Sequence, residues 1–278
     1  MDRAAYADNI AAVLSGAQSA RVGYPIGLYE VEVLRTERLG SGLLRITFGG
    51  PELAGFHSYV ADEHVRLIFP DAEGVLRLPR PAGFMLDWGN PRPVSREYTV
   101  RRHSALDREL DIDFALHSGG IASEWALAAT PGTRMHIAGP PGGQVVPLTY
   151  DKYLFAGDIT ALPAIARWLE WLPREASGWA FIEVADAAEE IGLTPPPGIQ
   201  VRWVHRGAAA PGTGDALEQA VRTVTVPEGE RVYVWIAGEA GVLRPLRRWT
   251  RTELGVGPKD SLIAGYWKRG VADFDDEE

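Results

Sequence analysis

The 278-residue chain contains no cysteine. That absence removes disulfides, thiolate zinc sites, cysteine-ligated iron–sulfur clusters, covalent haem attachment and a cysteine nucleophile. Any redox chemistry must then use an organic cofactor or a metal held by other ligands. The six histidines (His57, His64, His103, His117, His136 and His205) form no H-E-x-x-H or other paired zinc spacing, so no metal site is expected. No G-x-S-x-G elbow supports a serine hydrolase. No run of about 18 apolar residues appears, and no membrane span is expected. The opening Met1-Asp2-Arg3-Ala4-Ala5-Tyr6 lacks the basic-then-apolar order of a signal peptide, so the expected location is the cytoplasm. Lysine is nearly missing too: only Lys152, Lys259 and Lys268 stand among 28 basic residues. Arginine, whose planar fork suits anion recognition, carries the rest.

What is present is ordinary for a soluble globular protein: 46% hydrophobic and 23% charged residues. The length allows one large domain or two medium ones. Glycine (31) and proline (20) are spread along the chain, which predicts many tight turns. The net charge is −9, and the tail Asp273-Phe274-Asp275-Asp276-Glu277-Glu278 supplies five of the acidic groups. Residues 1–147 carry 14 basic and 17 acidic residues, and 148–278 carry 14 and 20. Neither half has the basic excess of a nucleic-acid binder. The tail reads as a solvated, frayed end.

Residues 1–25 read as a leading segment with an Ala-rich helix over 4–20. Short alternating runs follow at 29–34, 44–48, 64–69, 96–101 and 109–116, broken by Gly and Pro. They predict an antiparallel barrel or sandwich. One helix, 121–129, interrupts them, and 135–138 reads as a last strand. After Pro147 the texture changes. Apolar strands at 152–156, 179–184, 199–204 and 232–237 alternate with helices around 165–172, 216–221 and 242–253, which predicts a parallel sheet covered on both faces. The expected fold is thus β followed by α/β: a barrel domain over 1–147 and a Rossmann-like α/β domain over 148–278.

Arg96-x-Tyr98-Thr99-x-Arg101 places a cation, an aromatic ring and a hydroxyl within one strand. The set suits a planar, phosphate-bearing ligand, because arginine pairs with pyrophosphate in a fork. An amphipathic edge strand would look similar. His117-Ser118-Gly119-Gly120-Ile121-Ala122-Ser123 is a glycine turn at a helix start, where free N–H groups receive phosphate. Plain capping by Ser118 or Ser123 is the competing reading. Gly157-Asp158-Ile159-Thr160-Ala161-Leu162-Pro163 and Gly238-Glu239-Ala240-Gly241 lie at strand ends of the α/β half, where such sheets take their ligands. Neither is G-x-G-x-x-G, so an ordinary dinucleotide fingerprint is missing.

Taken in order, these segments resemble the siderophore-interacting proteins, FAD-containing NAD(P)H-dependent ferric-siderophore reductases related to the ferredoxin reductases. His64-Val65-Arg66-Leu67-Ile68-Phe69-Pro70 is similar to the family's H-V-K-L-x-F-P, and Arg96 to Arg101 to R-x-Y-T-x-R. His117 to Trp125 resembles H-x-x-x-G-P-A-S-x-W, and 157–165 resembles G-D-x-T-A-L-P-A-I. The segments 235–240 and 265–270 resemble the C-terminal signatures. The resemblance implies an FAD-binding β-barrel and a C-terminal NAD(P)H-binding domain. It implies FAD held by Arg96 at the pyrophosphate, Tyr98 against the ring system and Thr99 near its N5 edge, with His117, Ala122 and Ser123 completing the contacts. It puts Thr160, Ala161 and Glu239 near the nicotinamide. Asp186 and Arg206 become candidates for the adenosine end, one suited to NADH and the other to NADPH. Arg66, Lys268 and Arg269 become candidates for an anionic ferric siderophore. No side chain need act as acid, base or nucleophile. Two departures stand out: Arg66 replaces the usual Lys, and Ile121 replaces Pro at the helix start. Alternative readings are a flavin reductase exchanging electrons with a ferredoxin, and a flavin-free binding protein of the same fold.

Overall fold

A computed structural model describes residues 3–272 and Phe274. The acidic tail expectation therefore lies almost wholly outside the described residues. The chain forms two compact units. One comprises the chain up to Ala11 and Arg21–Val145, and the other comprises Ala12–Ala20 and the chain from Val146 onward.

The first unit begins with α1 (Arg3–Leu14), which runs into the second unit's short N-terminal piece, and β1 (Ala20–Gly23). Then come β2 (Gly27–Leu39), β3 (Leu43–Gly49), β4 (His64–Phe69), β5 (Arg80–Ala82), β6 (Met85–Asp87), β7 (Val94–Thr99), β8 (Arg102–Ser104) and β9 (Glu109–Ala115). It closes with α2 (Ile121–Ala128), β10 (Arg134–Gly139) and β11 (Gly142–Val145). Seven strands form an antiparallel sheet in the order β7-β4-β10-β2-β3-β9-β8. Alternation explains its core. On β4, Val65, Leu67 and Phe69 turn inward and meet Ile46, Phe48, Ile112 and Phe114 from β3 and β9. Helix α2 seals one end: Ala122 and Ala126 are buried, and Trp125 lies against Phe48, Phe69 and Phe114.

The second unit alternates β12 (Lys152–Asp158), α3 (Leu162–Trp171), β13 (Ser177–Val184), β14 (Gly198–His205), α4 (Ala216–Val221), β15 (Val232–Glu239), α5 (Ala240–Thr252) and β16 (Ser261–Trp267). Its sheet is parallel throughout, in the order β14-β13-β12-β15-β16. Every residue of β15 is buried, as a strand covered on both faces requires. Leu154, Ala156, Val234 and Ile236 face α4 and α5. Tyr153, Phe155 and Tyr233 face the other way, where Trp168 of α3 packs at a tilt against Phe155 and Tyr233.

The leading segment differs from expectation. The helix ends at Leu14, and residues 12–20 belong with the second unit rather than with the barrel. Hydrogen bonds to the backbone carbonyls of this segment are the cause. Leu148 N–H donates to the Leu14 carbonyl, Thr149 Oγ1 to Gly16 and Arg231 to Ala17. The strands β1, β5, β6, β8, β11 and β16 were not expected. All but β16 are three or four residues long, too short for alternation to register.

Candidate functional site

In the first unit, β7 pairs with β4 so that Arg96 lies opposite Leu67, Glu97 opposite Arg66 and Thr99 opposite His64. Arg96 is half-buried and donates to the Ser95 carbonyl at 2.8 Å. Burial holds its guanidinium below the ordinary arginine value, and Arg66 pushes it the same way. A cation kept partly out of water beside a second cation is suited to a dense anion. Tyr98 packs on Phe114 with ring centroids 4.5 Å apart, and burial pushes its phenol well up, against the pull of Arg96. Thr99 is buried. Arg101, the last residue of the motif, turns instead toward Asp113, 3.8 Å away, within an ion network that Arg45 completes at 2.7 Å. Its place is in the barrel wall.

The turn before α2 is an open cradle. Gly119 has φ +76°, which favours glycine. Gly120 is the helix N-cap, and no side chain caps it. Ser123 is fully buried and turns back to accept from the His117 N–H at 3.0 Å. Neither Ser118 nor Ser123 therefore caps the helix, and the first-turn N–H groups of Ala122 and Ser123 keep their outward dipole. A Cβ at Gly120 would run into the exposed His117 ring. Ile121 starts the helix without proline, so that departure leaves the turn intact. Arg66 is anchored by Glu97 at 2.6 Å, with Ser95 Oγ at 3.5 Å.

In the second unit, the strand ends converge on Asp158. Its Oδ1 accepts from Thr160 N and Oγ1 at 2.9 and 2.5 Å, and its Oδ2 from Glu239 N at 3.0 Å and Trp267 Nε1 at 2.8 Å. One carboxylate thus ties β12, β15 and β16 together. Gly238, at φ +147°, is required beside it, since a Cβ there would lie 2.7 Å from Oδ2. Glu239 is buried and both its oxygens are engaged. Oε2 caps α5 through Val242 N at 2.8 Å, and Oε1 accepts from Arg269 N at 3.0 Å. Ala161 is buried at the N-cap of α3. A small cleft lies here, lined by Asp158, Glu183, Gly212, Leu217, Gly238 and Glu239. Burial pushes the Glu183 carboxyl up, and Asp158 adds to the effect.

Asp186 and Arg206 follow the ends of the adjacent strands β13 and β14, where Arg206 N donates to the Val184 carbonyl at 3.0 Å. Asp186 is exposed and its Oδ1 accepts from Ala188 N at 2.8 Å. The Arg206 side chain is 13% exposed, lies 3.5 Å from Glu189 and keeps a buried Nε without a partner. Lys268 and Arg269 are exposed just past β16. The sequence reading missed Asp158, Glu183 and Trp267 as site residues. The G-D-x-T pattern contained the first, but its partners lie 81 and 109 residues away. Among the described residues no group of three or more His, Asp or Glu side chains could hold a metal ion, and no helix is long and apolar enough to cross a membrane.

Residues 32–144 match the siderophore-interacting FAD-binding domain, and residues 150–270 match the siderophore-interacting protein domain. The chain belongs to the siderophore-interacting protein family. Within this family it is 34% identical over 245 residues to the ferric vibriobactin reductase of Vibrio cholerae, covering 86% of this chain and 89% of that one. It is also 34% identical over 251 residues to an NADPH-dependent ferric-chelate reductase of Escherichia coli, covering 89% and 95%. A siderophore utilization protein from T. fusca superposes with a TM-score of 0.88 at 40% identity, covering 94% of this chain and all of that one. The family accounts for both units: an antiparallel FAD-binding sheet first and a parallel Rossmann-like sheet second.

Proposed function

We propose that the protein reduces ferric siderophores in the cytoplasm, with NADPH or NADH as donor and FAD as carrier. The observation that carries the reading is that the part of the chain matching an FAD-binding domain holds both a half-buried Arg96 and an uncapped glycine turn at α2. The functions of the relatives named above support the ferric substrate.

Each residue has a binding or orienting task. Arg96 and the first N–H groups of α2 hold the flavin's phosphates. Ser123 keeps that turn in shape through His117 N, and His117 covers it. Tyr98 offers an aromatic face backed by Phe114, and Thr99 a donor at its edge. When bound there, FAD would supply two-electron exchange with a nicotinamide and one-electron transfer to iron. Thr160, Ala161 and Glu239 frame the donor's nicotinamide end, with Asp158 fixing the strand termini around them. Asp186 and Arg206 receive its adenosine end, and the orphaned Arg206 Nε is a ready anion contact. Arg66, Lys268 and Arg269 attract an anionic iron chelate. Iron enters as a ferric chelate and leaves as Fe(II), which the chelate holds less tightly than Fe(III).

The test is anaerobic. The FAD-loaded protein is mixed with NADPH or NADH and a ferric siderophore, and Fe(II) is trapped by a coloured chelator. Fe(II) is expected to form in step with nicotinamide oxidation. Nicotinamide oxidation with a ferredoxin acceptor and none with any ferric chelate would favour the ferredoxin alternative. Protein that binds no flavin would overturn both.

A further inference from the structure

The second unit contains a row of aromatic rings that neither the flavin residues nor the donor residues include. A chain without cysteine lacks the side chain that ordinarily takes up oxidising equivalents. Tyrosine and tryptophan are the next one-electron donors, and nine of each are present. On the α3 side of the parallel sheet, ring centroids lie 6.3 Å apart between Trp171 and Trp168, 6.2 Å between Trp168 and Tyr233, and 5.4 Å between Tyr233 and Tyr150. These are packing distances for aromatic pairs, short enough for an electron to cross from ring to ring. Trp171, at the end of α3, is half-buried, whereas Trp168 and Tyr233 are buried. The Trp168 Nε1 has no hydrogen-bond partner among the described residues. Tyr150 forms the other end of the row. Its hydroxyl donates to Asp260 Oδ1 at 2.6 Å, and the Arg231 guanidinium lies 4.5 Å from its ring centroid. Arg231 and Asp260 are 43% and 39% exposed, so this end reaches solvent. Burial pushes the Tyr150 phenol's pKa up, and Asp260 adds to the effect, so the ring keeps its proton until an electron leaves. Tyr153, 6.0 Å from Tyr150, donates instead to the Pro147 carbonyl at 3.3 Å, and a carbonyl is too weak a base to keep a proton.

We propose that the row Trp171–Trp168–Tyr233–Tyr150 carries oxidising equivalents through the core of the second unit and discharges them at the Tyr150–Asp260 pair. The oxidant is a one-electron radical of the class formed when Fe(II) meets hydrogen peroxide; that source rests on the proposed function, and the path does not. The oxidant takes one electron from Trp171 and is reduced. Trp168 refills Trp171 and, with no acceptor for its Nε1 proton, is left as a cation radical. An electron from Tyr150, crossing by way of the Tyr233 ring, refills Trp168. The Tyr150 phenol proton moves to the Asp260 carboxylate as that electron leaves. Arg231 beside the ring disfavours a positive charge there, so electron and proton leave together. The net change is one electron gained by the oxidant, a neutral radical at Tyr150 and a protonated Asp260. A small-molecule thiolate then returns an electron at this exposed edge and becomes a thiyl radical, while Asp260 returns the proton. The buried rings are thereby spared irreversible oxidation.

The test is pulse radiolysis of the FAD-loaded protein with azide radicals, which oxidise tryptophan by one electron and need no light, iron or nicotinamide. In the parent, tryptophanyl radical absorbance is expected to decay into tyrosyl radical absorbance at a rate independent of protein concentration. Tyr150→Phe keeps the ring and removes the phenol, and most of that conversion is expected to be lost, with flavin content and NADPH oxidation at the parent level. Asp260→Asn removes the proton acceptor and Trp168→Phe interrupts the row, and each is expected to slow the conversion. Trp171→Phe, at a half-buried position, is expected to lower its yield and keeps the test valid should the buried Trp168 variant fold poorly. Conversion left unaltered by Tyr150→Phe or by Asp260→Asn would overturn the proposal, as would a rate proportional to protein concentration, which marks transfer between molecules. Failure of the parent to reduce any ferric chelate would instead strike the functional reading, which the radiolysis does not measure.

Discussion

Arg96 is the residue on which flavin binding should turn most sharply. It is a partly desolvated cation whose neighbour Arg66 raises its cost further, so an anion repays more here than at a solvated arginine. A charge-assisted hydrogen bond contributes about 1.5–3 kcal/mol. Arg96→Ala is therefore expected to weaken FAD binding roughly ten- to hundred-fold, read as flavin retained through gel filtration, with the protein still folded by circular dichroism. Arg101→Ala should behave differently despite its place in the same motif. Its partner is the buried Asp113, so the same pair of measurements should show lost stability. The motif gave both arginines equal standing in sequence. Only the tertiary surroundings separate them: Arg96 stays half-buried beside Arg66, whereas Arg101 turns to the buried Asp113.

At the scale of elements, the second unit depends on how its strands end. Asp158 gathers four donors, two from Thr160 in the turn after β12 and one each from β15 and β16, and a network of this kind loses more than one bond when its centre is removed. Asp158→Ala is expected to destabilise the unit by ~3 kcal/mol and to raise KM for the nicotinamide donor, while flavin content stays at the parent level. Urea unfolding and steady-state kinetics check the two parts. Much of this element pattern was legible in the chain. The apolar runs at 152–156 and 232–237 could only be buried parallel strands, and the helix Ala216–Val221 falls where its periodicity puts it. The hairpin Arg80–Ala82/Met85–Asp87 was not legible, because a three-residue strand with a proline carries no period. The place of Trp88 beside Arg66 and Arg92 was hidden with it.

For the whole molecule, two separate cores predict two separable stabilities. One is built on β2, β3, β4 and β9 and the other on β12, β13, β15 and α5. A ligand that binds only the folded form of one unit stabilises that unit, by about 2.7 kcal/mol at a hundred-fold excess over Kd. Stripping FAD is therefore expected to lower the melting transition of the first unit and leave that of the second in place. Scanning calorimetry of flavin-loaded and flavin-free protein checks this. A single transition that moves as one would show the units to be energetically coupled.

What the sequence determined by itself was local in origin. It contains no thiol, alternates in short runs before Pro147, switches to buried strands and helices after it, and carries ordered motifs that place a flavin cradle in one half and strand-end loops in the other. Hydrophobic period and turn chemistry act over a few residues, so they can be read from the chain alone. The tertiary structure decided what depends on residues distant in sequence. It drew residues 12–20 into the second unit through Leu148, Thr149 and Arg231, and turned Arg101 into the barrel wall. It brought Trp267 to Asp158 across 109 residues and put Arg66 and Arg92 within 5.9 and 5.3 Å of the Trp88 ring centroid. Such contacts carry no period, because they arise from strand register and packing rather than from the spacing of neighbours along the chain.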